Sequence, residues 1–249
     1  IEEVLAGVAT PEDAKFVAEW FATEEGLNKF DGTRFTTYYK NDLTQDNQGI
    51  TGNELNRVYA DTKHPIIWIA TQRDGLNAYN YNEQTFTAYQ HNPENPHSLI
   101  TNDVTDIAPS TQHDDGLWIS TYYRGIEYLD ITSGQFTHYN KSTVPSLPCD
   151  QTWTVLDGGD GNLYIGHVGS GFSIFSPKDK SVKNFRNEAG NPMSLPGNDV
   201  FCIIKDANGN IWLGTNNGLA LYDAANENFI TFKNNKNDKY ATLCSRILS

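Results

Sequence analysis

Short apolar runs separated by polar, turn-forming clusters recur along the chain, and residues 199–232 show the pattern most plainly. Val200 to Lys205 alternates with the period of a strand, and Asp206-Ala207-Asn208-Gly209-Asn210 then supplies residues that tolerate a tight turn. Ile211 to Thr215 is a second strand, and Asn216-Asn217-Gly218 turns the chain into a third, Leu219 to Tyr222. Ala224 to Glu227 turns it again into Phe229 to Phe232. Four short strands joined by short turns predict an antiparallel meander, followed by a longer polar connection.

This unit repeats. Ile67-Trp68-Ile69-Ala70-Thr71, Leu117-Trp118-Ile119-Ser120-Thr121, Leu163-Tyr164-Ile165-Gly166-His167 and Ile211-Trp212-Leu213-Gly214-Thr215 align without gaps, with a weaker copy at Glu19-Trp20-Phe21-Ala22-Thr23. The central aromatic falls at 20, 68, 118, 164 and 212, in steps of 48, 50, 46 and 48. A second series is Phe35, Phe86, Phe136 and Phe229, with Val182 in the fourth slot. Ser98-Leu99, Ser146-Leu147 and Ser194-Leu195 form a third, in steps of 48. A single four-stranded sheet cannot bury both faces, whereas stacked neighbours can, with the large aromatic of strand two between them. The prediction is all-β: a β-propeller of four-stranded antiparallel blades, about five of them present, at residues 1–40, 54–90, 103–140, 151–186 and 199–233. Residues 242–248 resemble the first strand of a further blade, so the chain is expected to be part of a larger, seven-bladed propeller. A compact five-bladed ring is the alternative. The start in a strand-like run (Val4, Leu5, Ala6) likewise fits a segment of something longer.

Composition narrows the partners. Tyr (13), Phe (12), Trp (5) and Gly (20) favour many short strands over helices. A net charge of −13 disfavours nucleic acid and an anionic membrane surface as partners. No apolar run approaches a membrane span. Cys149, Cys202 and Cys244 lie far apart with no knuckle spacing, and their apolar neighbours predict buried thiols rather than ligands or a disulfide framework.

The unit from Asn198 to Leu219, with Asp206-x-Asn208-Gly209-Asn210 running into Ile211-Trp212-Leu213-Gly214-Thr215, is similar to the two-component regulator propeller repeat. The linkers His91-Asn92-Pro93-Glu94-Asn95-Pro96-His97-Ser98-Leu99 and Asn187-Glu188-Ala189-Gly190-Asn191-Pro192-Met193-Ser194-Leu195 share that family's style. The resemblance spans nearly the whole chain. It implies the extracytoplasmic, periplasmic sensor region of a Bacteroidetes hybrid two-component protein, usually reading glycan fragments. In such proteins further blades, an immunoglobulin-like domain, a transmembrane helix, a histidine kinase and a response regulator follow in the parent chain. The implied partners are a small glycan ligand and those remaining parts, with a homodimer left open. The segment itself is expected not to be an enzyme.

Propeller geometry gathers the turns between strands two and three on one face with the long linkers. Those turns vary where the framework repeats: Thr23-Glu24-Glu25-Gly26, Thr71-Gln72-Arg73-Asp74-Gly75, Thr121-Tyr122-Tyr123-Arg124-Gly125, His167-Val168-Gly169-Ser170-Gly171 and Thr215-Asn216-Asn217-Gly218. Saccharide recognition needs flat apolar faces and planar donors, and a carboxylated sugar adds a need for Arg. Arg73, Asp74, Tyr122, Tyr123, Arg124, His167 and Asn217 are therefore candidates, with Trp153 near the start of an inner strand beside Asp103 and Gln151 as another. Each is also explicable as a solvated turn residue or a packing aromatic.

Catalytic signals are weak. Glu24-Glu25, Asp114-Asp115 and Asp103/Asp106 are the acidic pairs available to a glycosidase, but Asp114-Asp115-Gly116 fits a hairpin turn. No nucleophile elbow or zinc-protease motif occurs, and the six His lack metal spacing. Asp206-x-Asn208-x-Asn210 opens like a calcium loop but has Ile211 where Gly is required, so it is a turn. No catalytic set, metal or cofactor is predicted. A propeller lyase or hydrolase and a protein-interaction scaffold remain as alternative functions.

Overall fold

The computed structural model describes residues 8–9, 19–40 and 49–233. It contains five four-stranded antiparallel sheets, the blades of a β-propeller. The first comprises β1 (Val8–Ala9), β2 (Glu19–Thr23), β3 (Gly26–Phe30) and β4 (Phe35–Tyr38). The second holds β5 (Leu55–Ala60), β6 (Ile66–Thr71), β7 (Leu76–Asn80) and β8 (Thr85–Tyr89). The third holds β9 (Val104–Pro109), β10 (Gly116–Thr121), β11 (Gly125–Asp130) and β12 (Gln135–Tyr139). Next come β13 (Thr152–Asp157), β14 (Leu163–His167), β15 (Phe172–Phe175) and β16 (Val182–Phe185). The last sheet is β17 (Val200–Lys205), β18 (Ile211–Thr215), β19 (Gly218–Asp223) and β20 (Asn228–Phe232). Each is a simple meander in chain order. The strand expected at 242–248 lies outside the described residues.

The chain divides into two compact units, Ile1–Tyr123 with Glu127–His138, and Arg124–Ile126 with Tyr139–Ser249. Within the first, Trp20 packs on Tyr79 of the next sheet, and Trp68 joins Leu117, Ile119, Leu129 and Phe136. Within the second, Tyr164 joins Tyr222 and Phe229. Trp20, Trp68 and Tyr164 are thus buried against the following blade. Two of the second-strand indoles also have their polar edge satisfied: Trp68 Nε1 donates to Asp61 at 3.2 Å and Trp212 Nε1 to Asp206 at 3.0 Å.

Asp206 illustrates why the turn before that strand begins with Asp. Its carboxylate accepts from the Trp212 indole, the Asn210 side chain and backbone, and the Asn208 backbone. Those bonds, led by Trp212, hold its pKa down to about 2. Every oxygen is spent on closing the turn and pinning the aromatic.

The turn between strands two and three has one construction in all five blades. It ends in a glycine of positive φ: Gly26 (123°), Gly75 (92°), Gly125 (83°), Gly171 (80°) and Gly218 (117°). A Cβ at any of them would run into the carbonyl oxygen of the fourth strand, on Tyr38, Tyr89, Tyr139, Phe185 or Phe232. Both φ and space therefore demand glycine. In three blades a threonine hydroxyl closes the turn, with Thr23 Oγ1 bonding Gly26 O (2.8 Å), Thr71 Oγ1 bonding Gly75 O (2.7 Å) and Thr215 Oγ1 bonding Gly218 O (2.7 Å).

The linkers are stitched to these turns. Gly75 N donates to Asn102 O, Gly125 N to Asp150 O and Gly171 N to Asn198 O, at 2.8–3.0 Å. The next carbonyl along each linker accepts from the following turn: Tyr122 N donates to Asp103 O, Val168 N to Gln151 O and Asn216 N to Asp199 O. Two consecutive linker carbonyls thus tie two turns. The Asn or Asp side chain at the first position turns back to hold the chain leaving strand four. Asn53, Asn102, Asp150 and Asn198 accept from the backbone N–H of Lys40, His91, Lys141 and Asn187 at 2.6–2.8 Å. The latter three then donate their own side chains to the carbonyls of Leu99, Leu147 and Leu195. Imidazole, ammonium and amide do one job. That explains why the buried leucine repeats while residue 91, 141 or 187 does not.

Two outcomes follow from this frame. Gly190 has a positive φ (83°) but open space around it, so Gly190→Ala should cost only the left-handed backbone penalty of roughly 1–2 kcal/mol. Gly171→Ala adds the collision with Phe185 O and should cost about 1–3 kcal/mol more; midpoints of denaturant unfolding compare the two directly. By the same measurement Asn102→Ala should destabilise by about 1 kcal/mol, whereas Asn102→Asp, which restores the residue found at position 150, should be nearly neutral.

Candidate functional site

The turns between strands two and three share a closing glycine but differ in length, four residues in blades one and five and five in blades two to four, and in what they hold out. Arg73 and Tyr123 are exposed in the first unit, Tyr123 at 53 %. Tyr122 is half-buried, its ring 4.1 Å from that of Tyr123 at 69°. The Tyr123 hydroxyl has its pKa raised by the hydrogen bond to Tyr122. Arg124, next in the chain and placed in the second unit, is exposed. Strand pairing at Thr121 and the required Gly125 fix the two ends of this turn, so three large side chains sit on three consecutive residues between fixed points.

Other candidates are committed internally. Asp74 faces Lys40 (3.6 Å), its carbonyl accepts from Thr51 and Gln90, and it packs against Gly52, where a Cβ would overlap its carboxylate. Asn217 is exposed, but its side-chain amide holds Pro196 O at 2.9 Å. His167 corrects the sequence expectation most clearly. Where other blades have Thr, its ring is fully enclosed, bonded to Ser173 Oγ at 2.8 Å through Nε2 and facing Cys149 Sγ at 3.5 Å through Nδ1. Burial pushes its pKa down to about 4, so it is a neutral internal bridge that presents nothing to solvent.

Trp153 sits at a special backbone position. In blades two to five the first strand carries one extra residue opposite its neighbour, a β-bulge, at Asn56, Thr105, Trp153 and Phe201. Bulges re-aim a side chain. Asn56 uses its amide to bond Val104 O at 2.7 Å, and Thr105 bonds Ser120 at 2.8 Å. In the second unit both bulge residues are aromatic. Trp153 and Phe201 are half-buried and meet edge to face, centroids 5.8 Å apart. Phe201 was not singled out from sequence, because a one-residue bulge leaves the strand's apolar run intact.

The acidic pairs take structural roles. Asp114 pairs with Lys63 at 2.6 Å and Asp115 with His64 at 2.9 Å, joining the second and third blades. Asp106 faces Arg57 at 3.2 Å. His64 lies between Asp61 and Asp115; burial lowers its pKa, but the hydrogen bonds to the two carboxylates outweigh that and the net shift is upward. Cys149 and Cys202 are thiols outside any disulfide and half-buried rather than buried, and Cys244 lies outside the described residues. Among the described residues no group of three or more His, Cys, Asp or Glu is arranged to hold a metal ion. Among the described residues there is no helix long and apolar enough to cross a membrane.

Comparison with known proteins adds the family. Residues 194–217 match the model of the two component regulator propeller. An extracellular domain assigned to the hybrid two-component system BT3049 of B. thetaiotaomicron is 62% identical over 90% of this chain, with a TM-score of 0.81. This chain spans only 29% of that one. An extracellular domain assigned to the one-component system BT4673 of the same organism is 20% identical over 92% of this chain and 31% of its own, with a TM-score of 0.70. A chain of the nidogen/laminin complex, 13% identical over 93% of this chain and 81% of its own, scores 0.63; these last two are likenesses of fold alone. No curated protein matches the sequence. The match at 194–217 covers the Ser194-Leu195 linker end, the Asn198 stitch and the Trp212 strand, the parts that the other blades repeat, and this segment is a match to the two component regulator propeller repeat.

Proposed function

We propose that this chain is a ligand-reading segment of an extracytoplasmic sensor, and that its ligand is a saccharide. The observation that carries this reading is the contrast between an invariant turn frame and its side chains. Gly75, Gly125 and Gly171 are pinned by the same bond, while the residues between pins run Gln-Arg-Asp, Tyr-Tyr-Arg and Val-Gly-Ser. A repeat under packing constraint alone has no need of a Tyr-Tyr-Arg turn with Tyr123 half exposed.

Tyr122 and Tyr123 offer ring faces for the C–H surface of a sugar and hydroxyls for its oxygens. Arg124 and Arg73 offer planar guanidinium forks suited to a carboxylate or sulfate substituent. The 62% identity to an extracellular domain of a hybrid two-component system supports a periplasmic location and a non-enzymatic, signalling role. On this reading the remaining blades and the downstream domains of the parent chain are its partners, and a homodimer is one way to transmit occupancy. His167 and Asp74 drop out of the contact set because internal bonds occupy them.

Calorimetry of the complete ectodomain against a panel of neutral and acidic oligosaccharides tests the proposal. At least one acidic member should bind, and Arg124→Ala combined with Tyr122→Ala should weaken it by about tenfold or more, since a lost charged hydrogen bond costs roughly 1.5–3 kcal/mol. Binding untouched by both changes overturns the site, and conversion of the oligosaccharide in the same samples overturns the non-enzymatic role.

A further inference from the structure

Glu127, at the third position of the third blade's turn-strand junction, is fully buried. Both its carboxylate oxygens face the Ile100 backbone N–H, at 3.0 and 3.2 Å. Its Oε2 also faces His138 Nδ1 at 3.0 Å, and His138 Nε2 faces the Pro96 carbonyl at 2.9 Å. A carbonyl only accepts, and so does an ionised carboxylate. Both ring nitrogens therefore need a hydrogen at once, so a carboxylate–imidazolium pair satisfies every atom.

Three of the other blades place neutral polar groups here, and the fifth places none. The position of Glu127 is Asn28, Asn77, Ser173 and Ala220 elsewhere. Asn77 Oδ1 accepts from Thr51 N at 3.1 Å, the bond that Glu127 makes with Ile100. Thr37 Oγ1 bonds Asn28 at 2.7 Å, and Asn184 bonds Ser173 at 3.1 Å, in the place of His138 and Glu127. The fold does not need a charged pair here, and with Ala220 the fifth blade has no polar side chain at this position. Charge in the buried interior is costly unless paired, so its use at one blade alone is a departure with a consequence.

We propose that Glu127 and His138 form a proton-operated clasp on the linker that enters the third blade. With the proton in place, the imidazolium bridges Glu127 to Pro96 while Glu127 holds Ile100. When the proton leaves, the neutral ring keeps one N–H, and either Glu127 or Pro96 loses its donor. The other titratable group acting on Glu127 among the described residues is His91 at the start of the same linker, whose Nδ1 is bonded to Leu99 O at 2.9 Å. Two residues after Ile100 come Asn102 and Asp103, whose carbonyls hold Gly75 and Tyr122. Loss of the clasp thus loosens the linker whose stitch supports both variable turns.

The hydrogen bond that His138 donates to Glu127, against the opposing effect of burial, raises the His138 pKa above the ordinary imidazole value, and burial raises that of Glu127. Both shifts have one sign: the folded state holds the proton more tightly than the unfolded chain does. The His138 contribution is fully present below the unfolded histidine pKa and is lost as pH rises through the folded one, whereas that of Glu127 is fully present only below the unfolded carboxyl value and is lost as pH rises through its own raised pKa.

Residue-resolved NMR of the chain tests this. The imidazole nitrogens of His138 should both be protonated beyond the ordinary histidine range and titrate on its alkaline side. Exchange of the Ile100 amide, corrected for base catalysis, should accelerate several-fold over the same interval. The Thr51 amide, held by neutral Asn77, should show no such step and is the control within the same molecule. Glu127→Asn with His138→Thr, which copies the first blade's pair, should remove the step at Ile100. Titration of His138 at the ordinary value, or identical pH profiles at Ile100 and Thr51, overturns the proposal; the wild-type titration alone decides it if the double variant does not fold.

Discussion

Everything in this structure that varies is mounted on something that cannot, and the fixed element is the glycine closing the turn between the second and third strands. At Gly26, Gly75, Gly125, Gly171 and Gly218 the backbone passes beneath a carbonyl of the fourth strand so closely that no side chain fits. The close approach leaves the glycine N–H free to leave its own sheet and bond the next linker. Asn102, Asp150 and Asn198 receive that bond and use their side chains to hold the linker's other end. Turn, linker and neighbouring strand are thus positioned by a few short bonds, independent of what the turn displays.

Packing supplies the bulk of the stability around this frame. Trp20, Trp68 and Tyr164 are buried against the following blade, and apolar burial of that size is the dominant favourable term in folding. It is also undirected. The Asp61 and Asp206 bonds to the indoles, and the linker bonds at the leucine carbonyls, give the stack its register. Polar groups specify how blades meet, while aromatic groups make meeting favourable.

The architecture was legible because it is periodic. The spacing of Trp20 to Trp212 located every second strand, and the reading of residues 199–232 places β17 to β20 within a residue at each end. The Asp206 turn was legible for the same local reason. What the residues could not show is set by contacts distant in sequence. Glu127 and His138 lie eleven residues apart on paired strands, and their link to Ile100 appears only once the linker is folded back. The bulges at Trp153 and Phe201 insert a residue without disturbing apolar alternation. His167 looked like a variable turn residue because it replaces Thr; in fact it replaces the hydroxyl inside the sheet, where its ring is enclosed. The stitch at 53, 102, 150 and 198 was within reach, since an Asn or Asp recurs there in steps of 49, 48 and 48.

The account stands or falls on whether the stitch holds the turns, and amide hydrogen exchange measures that residue by residue. Gly75, Gly125 and Gly171 should be protected to the level of core-strand amides, far above the N–H groups of Arg73 and Tyr123 in the first two of these turns. Glycine amides that exchange as fast as those of the displayed residues would mean that the linker carbonyls do not hold the turns, and the separation of fixed frame from variable surface would be wrong.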